Sequence, residues 1–390
     1  MAGNATRDAT RNATRDATYL PGEKFLAFKN DYSLNFDGTD DFVDLGASST
    51  FFSTNVNSIS MWFKMPDTSG GEERIFVSNS DAGSSDLRVV ISTGGTISVD
   101  IWNGSGLVST TGGSAIDDDL WHHLVYTTNA SAQALYIDGV SVATTTHTRS
   151  SRAGSVSATI GAYVTGNQYA EVDVDEVAIW DKGLSASEVA GIYNGGIPTD
   201  LTKNGGGYVS SSDLQSWWRN GDATIPADDG TNGFIFDQAD TGLGADIITN
   251  GTFDSSVSGW SASSGGTVTW SAGTAVTAAI GTDDRGGMSQ TNTTVNGAVY
   301  ELTFDVVSRT STKWEVYRQG SGGPGTIVEG TALGSHSVFF TAAATSTQLA
   351  FYAKQAGTTD GEVAWDNISC KKVNGATATI NGPTIQAETP

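Results

Sequence analysis

Leu135-Tyr-Ile-Asp-Gly-Val140 sets the pattern for the chain. A short apolar stretch ends at Asp138-Gly139, a pair suited to a two-residue hairpin because glycine accepts positive φ without a steric clash. Working outward, Ser33-Leu-Asn-Phe36, Ile59-Ser-Met-Trp-Phe63, Leu87-Arg-Val-Val-Ile91, Ile97-Ser-Val-Asp-Ile-Trp102 and Leu124-Val-Tyr126 are separated by Gly, Asn, Asp and Ser. Alternation with period two places apolar side chains on one face, so these are expected to be sandwich strands with one face buried.

A single helix is announced by Ser185-x-x-Glu188, a capping box, followed by Val189, Ile192 and Tyr193 and stopped at Gly195-Gly196. Residues 198–245 are rich in Gly, Asp and Pro but contain Leu214-Gln-Ser-Trp-Trp-Arg219. Exposed adjacent indoles would be an aggregation hazard, so this connector is expected to pack on one or both domains. A second β-rich block, 246–374, carries Tyr300 to Val306, Trp314 to Tyr317, Ser337 to Phe340 and Gln348 to Tyr352. Residues 375–390 are expected to form a polar tail.

Composition agrees with an all-β chain: 390 residues contain 48 glycines and only 16% charged residues. The excess of acids over bases, 43 against 20, gives a formal charge of -23 and a field that repels phosphate backbones, so nucleic acid is excluded as a partner. No apolar run is long enough to span a bilayer as a helix, and Met1 to Tyr19 lack the apolar core of a secretory signal. A single cysteine, Cys370, excludes an intramolecular disulfide.

Residues 1–30 form an arm that opens with a tetrapeptide repeat, Asn4-Ala-Thr-Arg7, Asp8-Ala-Thr-Arg11, Asn12-Ala-Thr-Arg15 and Asp16-Ala-Thr-Tyr19. The repeat matches neither helical nor strand periodicity closely and has no large apolar residue before Tyr19, so it cannot bury a core of its own. A solvated spacer and an assembly arm both fit. The second is carried forward: an extended arm that meets a neighbouring subunit in a homo-oligomer through Arg7, Arg11 and Arg15.

Ser33-Leu-Asn-Phe-Asp-Gly-Thr-Asp-Asp-Phe-Val-Asp-Leu45 resembles the opening strand pair of laminin-G-like, concanavalin-A-like jelly rolls. Ile59 to Phe63, Trp121-His-His-Leu-Val-Tyr126, Leu135 to Val140, Ile160-Gly161 and Asp175-Glu-Val-Ala-Ile-Trp180 followed by Leu184 to Val189 agree with it in order. The second block resembles a carbohydrate-binding module of the galactose-binding-like jelly-roll type, through Asn250-Gly-Thr-Phe-Asp254, Trp260 and Val363-Ala-Trp-Asp-Asn-Ile368. Together these resemblances imply two β-sandwich jelly-roll domains, 31–197 and 246–374, of types that mostly bind glycans or proteins. The Trp217 to Asp222 run is similar to one that follows laminin-G-like domains in structural proteins of marine bacteriophages.

Glu171-Val-Asp-Val-Asp-Glu176 is the one stretch that suggests catalysis, since concanavalin-A-like glucanases carry Glu-x-Asp-x-x-Glu on a strand. Retaining glycosidases need two carboxylates about 5 Å apart, and on a regular strand Glu171 and Glu176 face opposite sides, so a bulge would be required. By the same resemblance, the helix that closes laminin-G-like domains follows within about ten residues, whereas the glucanase strand lies mid-chain. A non-enzymatic protein is therefore expected. His122 and His123 are adjacent and so cannot chelate one ion together.

Calcium is the expected cofactor, because it binds clustered carboxylate and carbonyl oxygens in loops. The resemblance implies Asp254, Asp366 and Asn250 as its ligands in the second domain, and Asp37, Asp40 and Asp41 with Asp173 or Asp175 in the first. Glycan binding would use aromatic faces beside Asn, Asp and Gln, with Trp270, Trp314, Tyr317 and Tyr163 as the expected platforms. Trp102 and Tyr169 are further candidates. Adhesive domain types, the absence of an export signal and a repetitive arm together lead to a bacteriophage virion surface protein, a capsid decoration or fibre-like component. It would assemble in the host cytoplasm, meet other virion proteins through the arm, and act outside the cell after lysis. An exported bacterial polysaccharide-binding adhesin and a glycosidase with an appended binding module are the alternatives.

Overall fold

The computed structural model describes residues 28, 30–47, 55–66, 73–80, 84–92, 94–113, 115–129, 132–147, 157–163, 168–220, 234–235, 237–240, 243–279, 285–319, 325–354, 361–375 and 378–390. The repeat with Arg7, Arg11 and Arg15 lies outside these. The first strands are β1 Ser33–Asp37, β2 Phe42–Ala47, β3 Asn57–Lys64, β4 Glu73–Ser80, β5 Ser84–Ser92, β6 Thr96–Trp102 and β7 Leu107–Gly112. They are followed by β8 Trp121–Thr128, β9 Gln133–Ile137, β10 Val140–Thr145, β11 Ser157–Ile160, β12 Glu171–Trp180, helix α1 Ala186–Tyr193, β13 Leu214–Trp218 and β14 Phe234–Ile235.

The second set is β15 Leu243–Asp246, β16 Ser261–Ser263, β17 Thr267–Ser271, β18 Thr274–Ala279, β19 Arg285–Thr293, β20 Val299–Arg309, β21 Lys313–Gln319, β22 Gly325–Gly330, β23 Gly334–Thr341, β24 Ser346–Lys354 and β25 Gly361–Val373. Two short strands close the chain, β26 Ala378–Asn381 and β27 Thr384–Gln386.

All of this builds two antiparallel sandwiches, so the expected all-β architecture is present. In the first, one sheet runs β10-β9-β8-β3-β12-β1-β27 with β13 also on β12, and the other runs β14-β26-β2-β11-β4-β5-β6-β7. Alternation does what the sequence predicts: Leu124, Tyr126, Leu135 and Ile137 point into the space between the sheets with Phe36, Phe63 and Ile91. Asp138 and Gly139 take φ of 51° and 76°, the positive values of the expected hairpin turn.

The opposite face of the β8-β3-β12 sheet is covered as well. Val125, Tyr136, Ala178 and Trp180 pack there against Leu184, Val189, Ile192, Leu201, Tyr208 and Trp217. Helix α1 is fixed by its capping box, in which the Glu188 amide donates to Ser185 Oγ at 3.3 Å and the Ser185 amide to Glu188 Oε2 at 2.9 Å. It ends at Asn194 in the left-handed region. No described helix is long and apolar enough to cross a membrane.

Two expectations about the domain plan need correction. The 198–245 segment does more than pack between domains: β13 and β14 are strands of the first sandwich. The 375–390 segment is not a free tail, because β26 pairs between β14 and β2 while β27 pairs with β1. Strands of only four and three residues are too short to carry a periodic signal, and long-range pairing supplies what local sequence lacks. The second sandwich is thus inserted within the chain of the first, and its own entry and exit are adjacent through the β15-β25 pairing.

That second sandwich stacks the sheet β17-β18-β25-β20-β23 against β16-β19-β24-β21-β22. Phe304, Trp314, Phe351 and Trp365 meet at its centre with edge-on and tilted ring contacts of 5.2 to 6.4 Å. The Asn250-Gly-Thr-Phe motif has a steric reason. A Cβ on Gly251 would lie 1.8 Å from the Ile368 carbonyl oxygen, so only glycine allows the Ile368 amide to donate to Gly251 O at 2.9 Å.

Candidate functional site

On β24, Leu349, Phe351 and Ala353 face the core, which sends Gln348, Ala350, Tyr352 and Lys354 to the outer face. On the neighbouring β21, Trp314 and Val316 face inward and Glu315 and Tyr317 outward. Register places Glu315 opposite Tyr352, and Tyr352 opposite Gly287 on β19. With no side chain at Gly287, the Arg285 guanidinium reaches across the sheet. It lies 4.7 Å from the Tyr317 ring centroid and 4.9 Å from that of Tyr352, within cation–π range.

Beneath it, Glu315 is only 2% exposed. Its carboxylate is paired with Arg285 Nη1 at 3.3 Å and Lys354 Nζ at 3.5 Å, and accepts from Thr326 Oγ1 at 2.6 Å. Lys354 and Lys313 also hold Glu329, at 2.9 and 2.7 Å, and their hydrogen bonds pull its pKa down to about 2. The Tyr352 hydroxyl is anchored by Ser263 and Ser264, and Gln348 Nε2 donates to Ser289 Oγ at 3.2 Å. The result is a fixed polar and aromatic surface: a half-exposed Tyr317 ring beside donors and acceptors locked by their neighbours. Such a surface can stack on the apolar side of a pyranose and bond its hydroxyls.

The expected platforms do not come together. Tyr317 lies on this face, whereas Trp314 is 2% exposed, points into the core and donates from Nε1 to Ala332 O at 2.8 Å. Trp314 is therefore corrected to a core residue; three positions from Tyr317 on one strand, it must face the other way. Trp270 belongs to the other sheet, on edge strand β17, where it is 44% exposed and its Nε1 donates to Phe253 O at 2.6 Å. Tyr163 is in the first sandwich, half-exposed, with Arg74 5.5 Å from its ring centroid. Sequence reasoning missed Arg285, Glu315 and Tyr352; charged residues inside the aromatic strand Lys313-Trp-Glu-Val-Tyr-Arg318 were the available signal.

Asp37, Asp40 and Asp41 bring ligand oxygens within 4.8 Å of one another. Burial, with the charges of Asp37 and Asp40, raises the Asp41 carboxyl above its ordinary range despite the hydrogen bond from the Asp37 amide. Asp173 does not join them. Asn35 Nδ2 donates to it at 2.7 Å and Lys64 Nζ stands 3.7 Å away, so its charge is already compensated. Asp175 likewise faces Asn30, which donates to it at 2.9 Å. In the second sandwich Asp254 is exposed and accepts from Thr252, Asp366 accepts from the Asn367 amide, and Asn250 Nδ2 donates to Ser256 O and Ser258 O. Among the described residues neither Asp254 nor Asp366 belongs to a group of three or more carboxylates, imidazoles or thiols.

The bulge that catalysis would require is present: the β12-β3 register shifts between Asp175 and Ala178, and Glu176 has φ 52°. Glu176 is nevertheless 3% exposed, and its carboxylate accepts from Trp217 Nε1 at 2.6 Å and Arg219 Nε at 3.1 Å. Arg219 in turn lies 4.2 Å from the Phe28 ring centroid, and Phe28 stacks on Trp217. The Trp-Trp-Arg run thus closes over Glu176 and ties the base of the arm to the first sandwich.

Comparison with curated protein sequences gives no match. Among solved structures the chain is similar to a native heptameric SAP-like pentraxin from Limulus polyphemus (17% identity, 42% of this chain and 82% of that one, TM-score 0.33). It is also similar to the CBM40 module of a Ruminococcus gnavus IT-sialidase (13%, 41% and 97%, TM-score 0.34) and to a Trypanosoma rangeli sialidase (14%, 43% and 28%, TM-score 0.35). The family model described as the Concanavalin A-like lectin/glucanases superfamily matches residues 37–190. That part of the chain has the concanavalin A-like lectin/glucanase fold.

Proposed function

We propose that this is a non-enzymatic glycan-binding protein whose second sandwich, a module of the galactose-binding-like type, presents the sugar site. The observation that carries the proposal is the outer face of β21 and β24, where Arg285 lies against Tyr317 and Tyr352 above the buried Glu315. An array of neutral and acidic glycans probed with the full chain tests it. Retention on at least one glycan is expected, and an array with no retention contradicts the proposal. The non-enzymatic reading is supported by the engagement of Glu176 with Trp217 and Arg219; release of reducing ends from a β-glucan would overturn it.

The biological setting we propose is the surface of a bacteriophage virion, with residues 1–19 holding the protein in a homo-oligomer or on other virion proteins. Its support is the composition of the arm and the resemblance of the Trp217 to Asp222 run. Deleting residues 2–18 should abolish incorporation into the particle; unchanged incorporation makes the arm a spacer. Calcium belongs to the same reading, with Asp37, Asp40 and Asp41 the better fit, since they offer hard oxygen donors in one turn.

A further inference from the structure

A cleft of about 260 Å³ opens on the helix-bearing face of the first sandwich, far in sequence from the Tyr317 surface. Its floor follows from register. Thr127 on β8, Ala134 on β9 and Thr144 on β10 stand side by side, with Tyr136 two residues along from Ala134 on the same face. Ala134 leaves a hollow between the two threonines, and Gly183 to Ala186 form the wall above it. Gly183 cannot be larger, because a Cβ there would lie 2.6 Å from Thr128 O.

The lining has a specific chemistry. It offers hydroxyl and amide groups from Thr127, Asn129, Gln133, Tyr136, Thr144 and Ser185, together with alanine and leucine carbons, and no charged residue. Thr127 and Gln133 are already committed: Thr127 Oγ1 donates to Leu184 O at 3.2 Å, and Gln133 Nε2 donates to His147 O at 2.8 Å. Tyr136 is different. It is 9% exposed, and its hydroxyl has no hydrogen-bond partner among the described residues. The hydroxyl is not among the buried polar atoms, so it opens into the cleft, where a ligand hydroxyl can take the place of water.

We infer that this cleft binds one neutral sugar ring. Its size is below the roughly 300–1,000 Å³ of drug-sized sites, which limits the ligand to about a single ring. The mixture of hydroxyls, amides and small apolar side chains suits a polyol with an apolar face. An anion finds no cation in the lining, and the Ser185 hydroxyl is already committed to the Glu188 carboxylate at 2.7 Å, so a carboxylate has no charged partner to offset its desolvation. The inference does not rest on the Tyr317 surface and stands or falls separately from it.

The test is saturation-transfer NMR on the full chain with D-glucose, D-galactose, N-acetyl-D-glucosamine and sodium D-glucuronate, supported by titration. At least one of the three neutral sugars should bind and glucuronate should not. Tyr136→Phe removes only the unpartnered hydroxyl, so it should weaken binding by roughly fivefold, the effect of one hydrogen bond, at unchanged Tm. Ala134→Leu should abolish binding by filling the hollow, whereas Tyr317→Ala in the second sandwich should leave it intact. Binding of none of the neutral sugars, binding of glucuronate as strong as theirs, or affinity unaffected by both Tyr136→Phe and Ala134→Leu overturns the inference. Sensitivity to Tyr317→Ala alone would assign the signal to the other sandwich and overturn it as well.

Discussion

Lys64 Nζ meets Glu388 Oε1 at 2.8 Å, across a sequence separation of 324 residues. The pair marks where the end of the chain returns to the first sandwich, beside the Ser33 hydroxyl, which donates to Glu388 O at 2.5 Å. With Glu388 51% exposed at its side chain, the ion pair itself contributes about 0–1 kcal/mol. The strands that precede it matter more, because β26 fills the place between β14 and β2 and Ala378 is fully buried.

Deleting residues 377–390 should therefore destabilise the first sandwich far more than Lys64→Ala does. Differential scanning calorimetry of the full chain should show the first sandwich's transition lost or sharply lowered while that of the second persists. A truncated chain with both transitions in place would show that β26 and β27 are dispensable.

Gly251→Ala should destabilise the second sandwich by roughly 1–3 kcal/mol, since the added methyl must displace the Ile368 carbonyl or the loop that carries it. Urea unfolding followed by tryptophan fluorescence would measure this. Loss of stability in the first sandwich instead would contradict the steric account of the Asn-Gly-Thr-Phe motif.

Much of this plan is legible in the sequence, and the exceptions have physical causes. Leu135 to Val140 reveals its hairpin, and Ser185 with Glu188 its helix start, because both are fixed by neighbours a few residues away. β26 and β27 are too short to declare a period, and their partners lie hundreds of residues back. The site shows the same division. The opposite facing of Trp314 and Tyr317 follows from their odd separation on one strand. The burial of Glu315 depends on Arg285 and Lys354, which only the sheet order brings to it.

The adjacent histidines His122 and His123 should answer pH in opposite directions, and His123 should make the first sandwich acid-sensitive. Hydrogen bonding to Asp138 raises the pKa of His122, aided by Asp118, so its contribution is complete below the unfolded value and fades as pH rises through the folded one. Burial would raise Asp138, but the bonds from His122 and the His123 amide outweigh it and lower the pKa. That contribution is present above the unfolded value and is lost as pH falls through the folded pKa. His123 behaves differently: burial lowers it from 6.5 to about 3, so between those values the unfolded chain takes a proton that the fold refuses. Stability should fall with acidification across that window. The advantage of the native protein over His123→Gln should shrink between pH 7 and pH 4; a constant difference would rule out this role for His123.

Calcium should raise the Tm of the first sandwich, and Asp40→Asn should remove that response, as expected for a ligand that binds the folded state alone. EDTA should reverse the shift. If EDTA and added calcium leave both transitions where they are, neither the Asp37, Asp40 and Asp41 group nor Asp254 with Asp366 holds the ion.

Isothermal titration of the best array glycan into the native chain and into Tyr317→Ala tests the account most directly. Tyr317 is half-exposed and outside the core, so its removal should leave the Tm of the second sandwich nearly unchanged. Stacking of a ring on an aromatic side chain contributes about 0.5–1.5 kcal/mol beyond the area buried. Affinity should fall at least tenfold with the fold intact; equal affinity for the two proteins would contradict a glycan site at Tyr317.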